Sequence, residues 1–136
     1  MDATSFLAER LDRAAAPLAV GDVLVLLALL TVGTLNHTTV GFLLDDPVYL
    51  LGVWAPFLIG WALFAPLVGA YSAGAVETAK SSVPLAVRSW VPAAVVGFVL
   101  REFVFRGNAA PTFMAITFVL GALALGGWRA IYFRIR

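Results

Sequence analysis

The spacing of the charged residues is the feature of this sequence that most constrains its fold. Four long intervals contain no Asp, Glu, Lys or Arg: residues 23–44, 47–76, 89–100 and 107–128. A transmembrane helix needs roughly 20 predominantly apolar residues to cross a hydrocarbon core of about 30 Å. Three of the intervals are therefore long enough for one membrane-spanning helix each, and none is long enough for two.

The third interval is shorter, with 12 residues between Arg88 and Arg101. These two arginines stand about 20 Å apart along a helix, which is less than the thickness of the core. The wider stretch 84–105 is nevertheless apolar except at four positions, and long arginine side chains reach toward the lipid headgroups. We expect a third spanning helix here, with a re-entrant hairpin as the alternative.

The composition excludes several classes of protein. The chain of 136 residues is 62% hydrophobic and only 12% charged, whereas a soluble domain carries about 25% charged residues. A net charge of +1 with scattered basic residues does not fit a nucleic-acid-binding protein. The absence of cysteine removes disulfides and thiolate metal sites. An integral membrane protein remains.

These observations predict an all-α fold, an antiparallel bundle of four transmembrane helices that forms one integral membrane domain over residues 1–136. The loops are short, so successive helices should be antiparallel neighbours. Residues 4–15 have apolar side chains at helical spacing, which predicts a short amphipathic helix at the membrane interface. A polar tail is the alternative for this segment. The four spanning helices are expected at about residues 18–37, 48–70, 84–105 and 111–133.

The distribution of Lys and Arg near the helix ends predicts the orientation in the membrane. One side carries seven basic residues, and the other carries Arg101 and Arg106, with Asp45 and Asp46 in its first loop. Because basic residues favour the cytoplasmic side, we expect a multi-pass protein of the cell membrane with both termini in the cytoplasm. The seven basic residues are Arg10, Arg13, Lys80, Arg88, Arg129, Arg134 and Arg136.

Three ionisable residues from three predicted helices fall at one depth near the cytoplasmic side: Asp22, Arg88 and Arg129. A lone charge in hydrocarbon is costly, so such residues face the inside of a bundle and pair with one another. We expect Asp22 to pair with Arg129 or Arg88. The pair would either fix the register of the helices or form part of a substrate or proton site.

A second polar layer is predicted at the outer side from Asn36, His37, Arg101 and Glu102. His37 would titrate near neutral pH and relay protons, or cap a hydrogen-bond network. No carboxylate or second histidine stands at ligand spacing from it, so we expect no metal site. The glycine-containing faces of the first and third predicted helices should pack against each other.

The second predicted helix has an aromatic side formed by Trp54, Phe57, Trp61 and Phe64. This side would line a groove for an isoprenoid, a quinone or a lipid tail. Aromatic residues that face lipid or pack against other helices are the alternative. The sequence contains no nucleophile elbow, zinc-protease motif or phosphate-binding glycine loop, so we expect no enzymatic activity and no cofactor.

A set of motifs runs in order through most of the chain. They are Asp22, Gly33…His37, Trp54-Ala-Pro56-Phe57-Leu58…Gly60-Trp61, Trp90…Gly97…Leu100-Arg101, Gly107…Phe113 and Gly127-Trp128-Arg129. Over about residues 19–131 this pattern resembles the uncharacterised prokaryotic membrane family known as domain of unknown function 3054. The resemblance implies a small four-helix membrane protein of bacteria or archaea, and it implies no activity.

The function expected from the sequence is that of a non-enzymatic membrane module. The leading hypothesis is a small transporter or channel-type subunit that acts as an oligomer, because four helices rarely enclose a pathway alone. The alternative is a structural or assembly subunit that binds a lipid, an isoprenoid or another membrane protein. The expected partners are thus the lipid bilayer and a second copy or another membrane protein.

Overall fold

A computed structural model of the chain describes residues 10–36, 38–105 and 110–136. These ranges are helical and contain no strand. The α-helices in these ranges are α1 (Ala16–Leu35), α2 (Val40–Asp45), α3 (Pro47–Val68), α4 (Ala79–Phe103) and α5 (Pro111–Ile135), and short 3-10 helices span Arg13–Ala15 and Ala73–Val76. Helices α1, α3, α4 and α5 are long and apolar enough to cross a membrane, so the predicted all-α fold with four such helices is confirmed.

Most helix boundaries follow from signals in the sequence. Helices α3 and α5 begin at Pro47 and Pro111, since a first helical residue needs no N–H donor. Helix α4 begins five residues earlier than expected, because the Thr78 hydroxyl accepts a hydrogen bond from the N–H of Ser81 at 3.3 Å and caps the helix there. Helix α4 is continuous over 25 residues, so the re-entrant hairpin is wrong.

The segments outside the long helices differ from the prediction. Of the predicted interfacial helix, residues 1–9 lie outside the described residues, and Arg13–Ala15 form a 3-10 turn instead. Asp12 caps this turn by accepting a hydrogen bond from the N–H of Ala14 at 2.8 Å. The first loop contains the unpredicted α2, which the Thr39 hydroxyl caps through the N–H of Phe42 at 3.1 Å.

The long helices pack as a ring of neighbours: α1 on α3, α3 on α4, α4 on α5, and α5 on α1. The expected packing of the Gly33 face of the first span on the Gly97 face of the third is therefore wrong. Gly97 of α4 packs instead against the ring of Phe57 in α3, and a Cβ on Gly33 would meet no atom within 4 Å. The position of Gly33 borders open space.

The core is built from large side chains that lie over small residues of the next helix. Phe57 and Trp90 are fully buried, and the ring of Trp90 lies against Gly121 of α5. The indole N–H of Trp90 also donates to the backbone oxygen of Phe118 at 2.9 Å. In lipid, helices associate through close packing and interhelical hydrogen bonds rather than through exclusion of water. The ring of Trp90 against Gly121 is a close-packing contact, and its bond to Phe118 is an interhelical hydrogen bond.

Two glycines of α3 provide a matched test of this packing. A Cβ on Gly60 would overlap the backbone oxygen of Ala93 in α4, whereas a Cβ on Gly52 would meet nothing within 4 Å. Gly60→Ala should therefore lower the free energy of unfolding in detergent by about 1–3 kcal/mol, as overpacking does. Gly52→Ala should be neutral or slightly stabilising, because alanine favours helix. Equal thermal unfolding midpoints for the two variants would contradict the close contact of α3 with α4.

Candidate functional site

The candidate site lies where the beginnings of α1 and α4 meet the end of α5. Asp22 stands in the second turn of α1, Ser82 in the first turn of α4, and Arg129 in the last two turns of α5. All three side chains are fully buried. Because α5 packs against both α1 and α4, the three residues come together at one end of the long helices.

Asp22 and Arg129 form a two-point ion pair. Nη2 of Arg129 lies 2.6 Å from Oδ2 of Asp22, and Nε of Arg129 donates to Oδ1 at 3.2 Å. Paired N–H donors that meet both oxygens of a carboxylate give a strong and directional contact. The remaining guanidinium nitrogen, Nη1, donates to the hydroxyl and the backbone oxygen of Ser82, both at 3.2 Å. All three nitrogens of Arg129 are therefore hydrogen-bonded.

Tyr71 adds a contribution from the loop that follows α3. Gly69 ends α3 with φ +99°, a left-handed conformation that glycine adopts without strain. Beyond this turn the Tyr71 hydroxyl donates to Oδ2 of Asp22 at 2.8 Å and accepts a hydrogen bond from the indole N–H of Trp61 at 2.7 Å. The Arg129 guanidinium also lies 5.5 Å from the centre of the Tyr71 ring, within the range of a cation–π contact.

The protonation of Tyr71 is fixed by its surroundings. Burial raises the pKa of Tyr71 above its ordinary value, and the negative charge of Asp22 raises it further. The phenol therefore keeps its proton at neutral pH and serves as a donor to the carboxylate. Asp22, Arg129, Ser82, Tyr71 and Trp61 are thus linked by hydrogen bonds, and we call this group the Asp22 network.

The structure separates the predicted members of the first polar layer. It brings Asp22 and Arg129 together, whereas Arg88 is exposed on α4 and lies outside the Asp22 network. Sequence reasoning missed Ser82 and Tyr71, because a neutral hydroxyl gives no signal comparable to a charge in an apolar interval. The one available hint for Tyr71 was its position directly after Ala70, the predicted end of the second spanning helix.

The second predicted layer is only partly brought together. Asn36 and Arg101 both line a cavity of about 500 Å³ between α1, α3 and α5. Glu102 is exposed and does not line this cavity, and His37 lies outside the described residues. Within the part of the chain that the structure describes, no group of three or more His, Asp or Glu residues is arranged to hold a metal ion.

The predicted aromatic groove is filled by the core of the protein. Phe57 and Trp61 are buried among residues of α1, α4 and α5, and Trp54 donates from its indole N–H to the Thr31 hydroxyl of α1 at 3.0 Å. Phe64 is half-buried against the same core. These side chains pack against other helices and leave no groove between them, so the predicted groove is wrong. The alternative, aromatic residues packed against other helices, describes the structure.

Because Asp22 is buried and paired, its mutation should destabilise the protein far more than mutation of an exposed aspartate. Asp22→Asn should lower the free energy of unfolding in detergent by about 3–5 kcal/mol, because it leaves the buried charge of Arg129 uncompensated. Asp46→Asn, at an exposed position in the first loop, should change it by no more than about 0.5 kcal/mol.

A double variant separates the pairing from the packing of the two side chains. Asp22→Leu combined with Arg129→Met leaves no unpaired charge, so it should destabilise the protein less than the sum of the two single variants. Thermal unfolding of the four proteins measures the difference. Additive losses, or equal midpoints for Asp22→Asn and Asp46→Asn, would contradict the buried pair.

Comparison with known proteins assigns the chain to one family. Residues 19–132 match the family described as "Protein of unknown function (DUF3054)". No curated protein matched the chain, and no solved structure matched it either. The matched range covers all four long helices except the first residues of α1 and the last of α5. The chain is thus a membrane protein of unknown activity, and it belongs to the DUF3054 family.

Proposed function

We propose that this protein is a non-enzymatic structural or assembly subunit of the cell membrane. Its long helices would form a fixed scaffold that binds a lipid or another membrane protein from the side. The observation that carries this proposal is the ion pair of the Asp22 network. Its carboxylate and its guanidinium are both completely buried and bonded to each other, and the guanidinium also bonds to Ser82.

A transport function would require different surroundings for Asp22 and Arg129. Ionisable groups on a transport pathway face a water-filled cavity or the transported ion, and they lie near the middle of the membrane. Among the described residues, Asp22 and Arg129 are the only charged side chains that are buried, and each is satisfied by the other and by hydroxyl groups. This arrangement supports a scaffold more than the transporter or channel subunit first expected.

The orientation is part of the proposal. The backbone N–H of Asp12 donates to the backbone oxygen of Tyr71 at 2.8 Å, and Nη1 of Arg136 donates to the backbone oxygen of Val76 at 3.0 Å. The N-terminal segment, the loop after α3 and the C-terminus therefore meet on one side. Five basic residues lie at or near the helix ends on that side, so it is proposed to be cytoplasmic. They are Arg10, Arg13, Lys80, Arg134 and Arg136.

The orientation is tested with single cysteines, because the chain has none of its own. In intact cells, a membrane-impermeant maleimide should label Asp46→Cys directly, and it should label Lys80→Cys only after the membrane is permeabilised. Both positions are exposed in the structure, so each is accessible to the reagent on its own side. The reverse pattern would overturn the proposed orientation.

The scaffold role is tested by measuring flux. Purified protein in sealed proteoliposomes should show no movement of protons, alkali cations or small anions above that of empty vesicles under an imposed gradient and potential. An added ionophore in the same vesicles is the positive control. Flux that depends on the protein and disappears in an Asp22→Asn variant that still folds would overturn the scaffold and restore the transporter hypothesis.

A further inference from the structure

The cavity at the other end of the helices is separate from the Asp22 network. Its walls are apolar side chains of three helices, among them Leu29 and Leu30 of α1, Val53 of α3, and Ile116 and Leu120 of α5. Its volume of about 500 Å³ falls within the range of roughly 300–1,000 Å³ that is common for small-molecule sites. The space exists partly because Gly33 of α1 lines it without a side chain.

The cavity is elongated along the helices. On α5 its lining residues run from Thr112 to Leu120, and on α1 they run from Leu29 to Asn36. At about 1.5 Å per residue the lining covers about 11–12 Å along each helix. One leaflet contributes about half of a hydrocarbon core roughly 30 Å thick. The length of the cavity is therefore close to the thickness of one leaflet.

The polarity of the lining changes with depth. Asn36, Arg101 and Thr112 stand at or near the ends of their helices, at the mouth of the cavity. The deeper part is lined mainly by apolar side chains, with the hydroxyls of Thr34 and Thr117 among them. The Arg101 guanidinium lies over the ring of Phe113, 4.6 Å from its centre, which holds the positive charge at the mouth. Glu102, the next residue of α4, is exposed and is not part of the lining.

We propose that this cavity binds one acyl chain of an anionic phospholipid, whose phosphate is held by Arg101. A planar guanidinium matches the geometry of a phosphate with two parallel N–H donors, and the apolar walls match the chain. The proposal deepens the proposed function and rests on its claim that the protein binds lipid from within the membrane. The lipid comes from the leaflet opposite the Asp22 network.

Two pairs of variants isolate the two parts of the site. Gly33→Leu fills the cavity, and Gly127→Leu is its control, because a Cβ at either glycine meets no atom within 4 Å and Gly127 does not line the cavity. Arg101→Gln removes the charge at the mouth. Arg88→Gln removes an exposed arginine of the same helix and serves as its control.

The measurement is native mass spectrometry of the full-length protein in detergent with equal amounts of phosphatidylglycerol and phosphatidylcholine that carry identical chains. The wild type and both control variants should retain the anionic lipid preferentially. Arg101→Gln should reduce that preference by about fivefold, since a hydrogen-bonded charge contact contributes about 1 kcal/mol or more. Gly33→Leu should lose both lipids, and excess glycerol phosphate should displace neither.

Several results would overturn the proposal. They are equal retention of the two lipids by the wild type, an equal loss in Gly33→Leu and Gly127→Leu, and displacement by glycerol phosphate, which would indicate a site for a soluble phosphate. These outcomes are independent of the proposed scaffold, because the flux assay reports on the scaffold whether or not a lipid is retained. A protein that conducts ions and still prefers phosphatidylglycerol would overturn the scaffold alone.

Discussion

The arrangement of the helices depends on the buried ion pair between Asp22 and Arg129. A charge that is fully buried between helices is costly unless it is paired and hydrogen-bonded, so each of these two buried residues requires the other beside it. The two lie 107 positions apart in sequence, and their contact holds the beginning of α1 against the end of α5. Ser82 and Tyr71 bond to the same pair, so α4 and the loop after α3 must also lie beside it. One pair thereby fixes the register in which the four long helices meet.

Close packing of side chains also holds the helices together. Between helices in lipid there is little hydrophobic driving force, so association relies on van der Waals contact and on hydrogen bonds. Here Phe57 lies over Gly97 and Trp90 lies over Gly121, which brings the backbones of neighbouring helices close together. The indole N–H of Trp90 then bonds across to α5. Trp90 therefore both fills the space beside Gly121 and binds its partner helix through a hydrogen bond.

The sequence predicts the spans well because charge is expensive in lipid, and the uncharged intervals therefore mark the helices directly. It limits the partner of Asp22 to Arg88 or Arg129 but does not choose between them, because a third span that begins at residue 84 would place both arginines near the same end of the helices. In the structure α4 begins at Ala79, so Arg88 lies six residues, about 9 Å, beyond Ser82, the residue of α4 that Arg129 contacts. Tyr71 is beyond prediction for a related reason. Its hydroxyl reaches Asp22 only through the turn at Gly69, and the direction of that turn depends on the assembled helices.

The two ends of the long helices differ in how freely they can rearrange. At one end all three nitrogens of Arg129 are bonded, and a path through that end would require the pair to separate at a cost of about 3–5 kcal/mol. At the other end Gly33 leaves a cavity, and an acyl chain can enter or leave it without separating the pair of Asp22 and Arg129. The polar contacts are thus concentrated where the helices must not move, and the space is concentrated where a ligand can enter. This distribution favours binding from the side over passage through the protein.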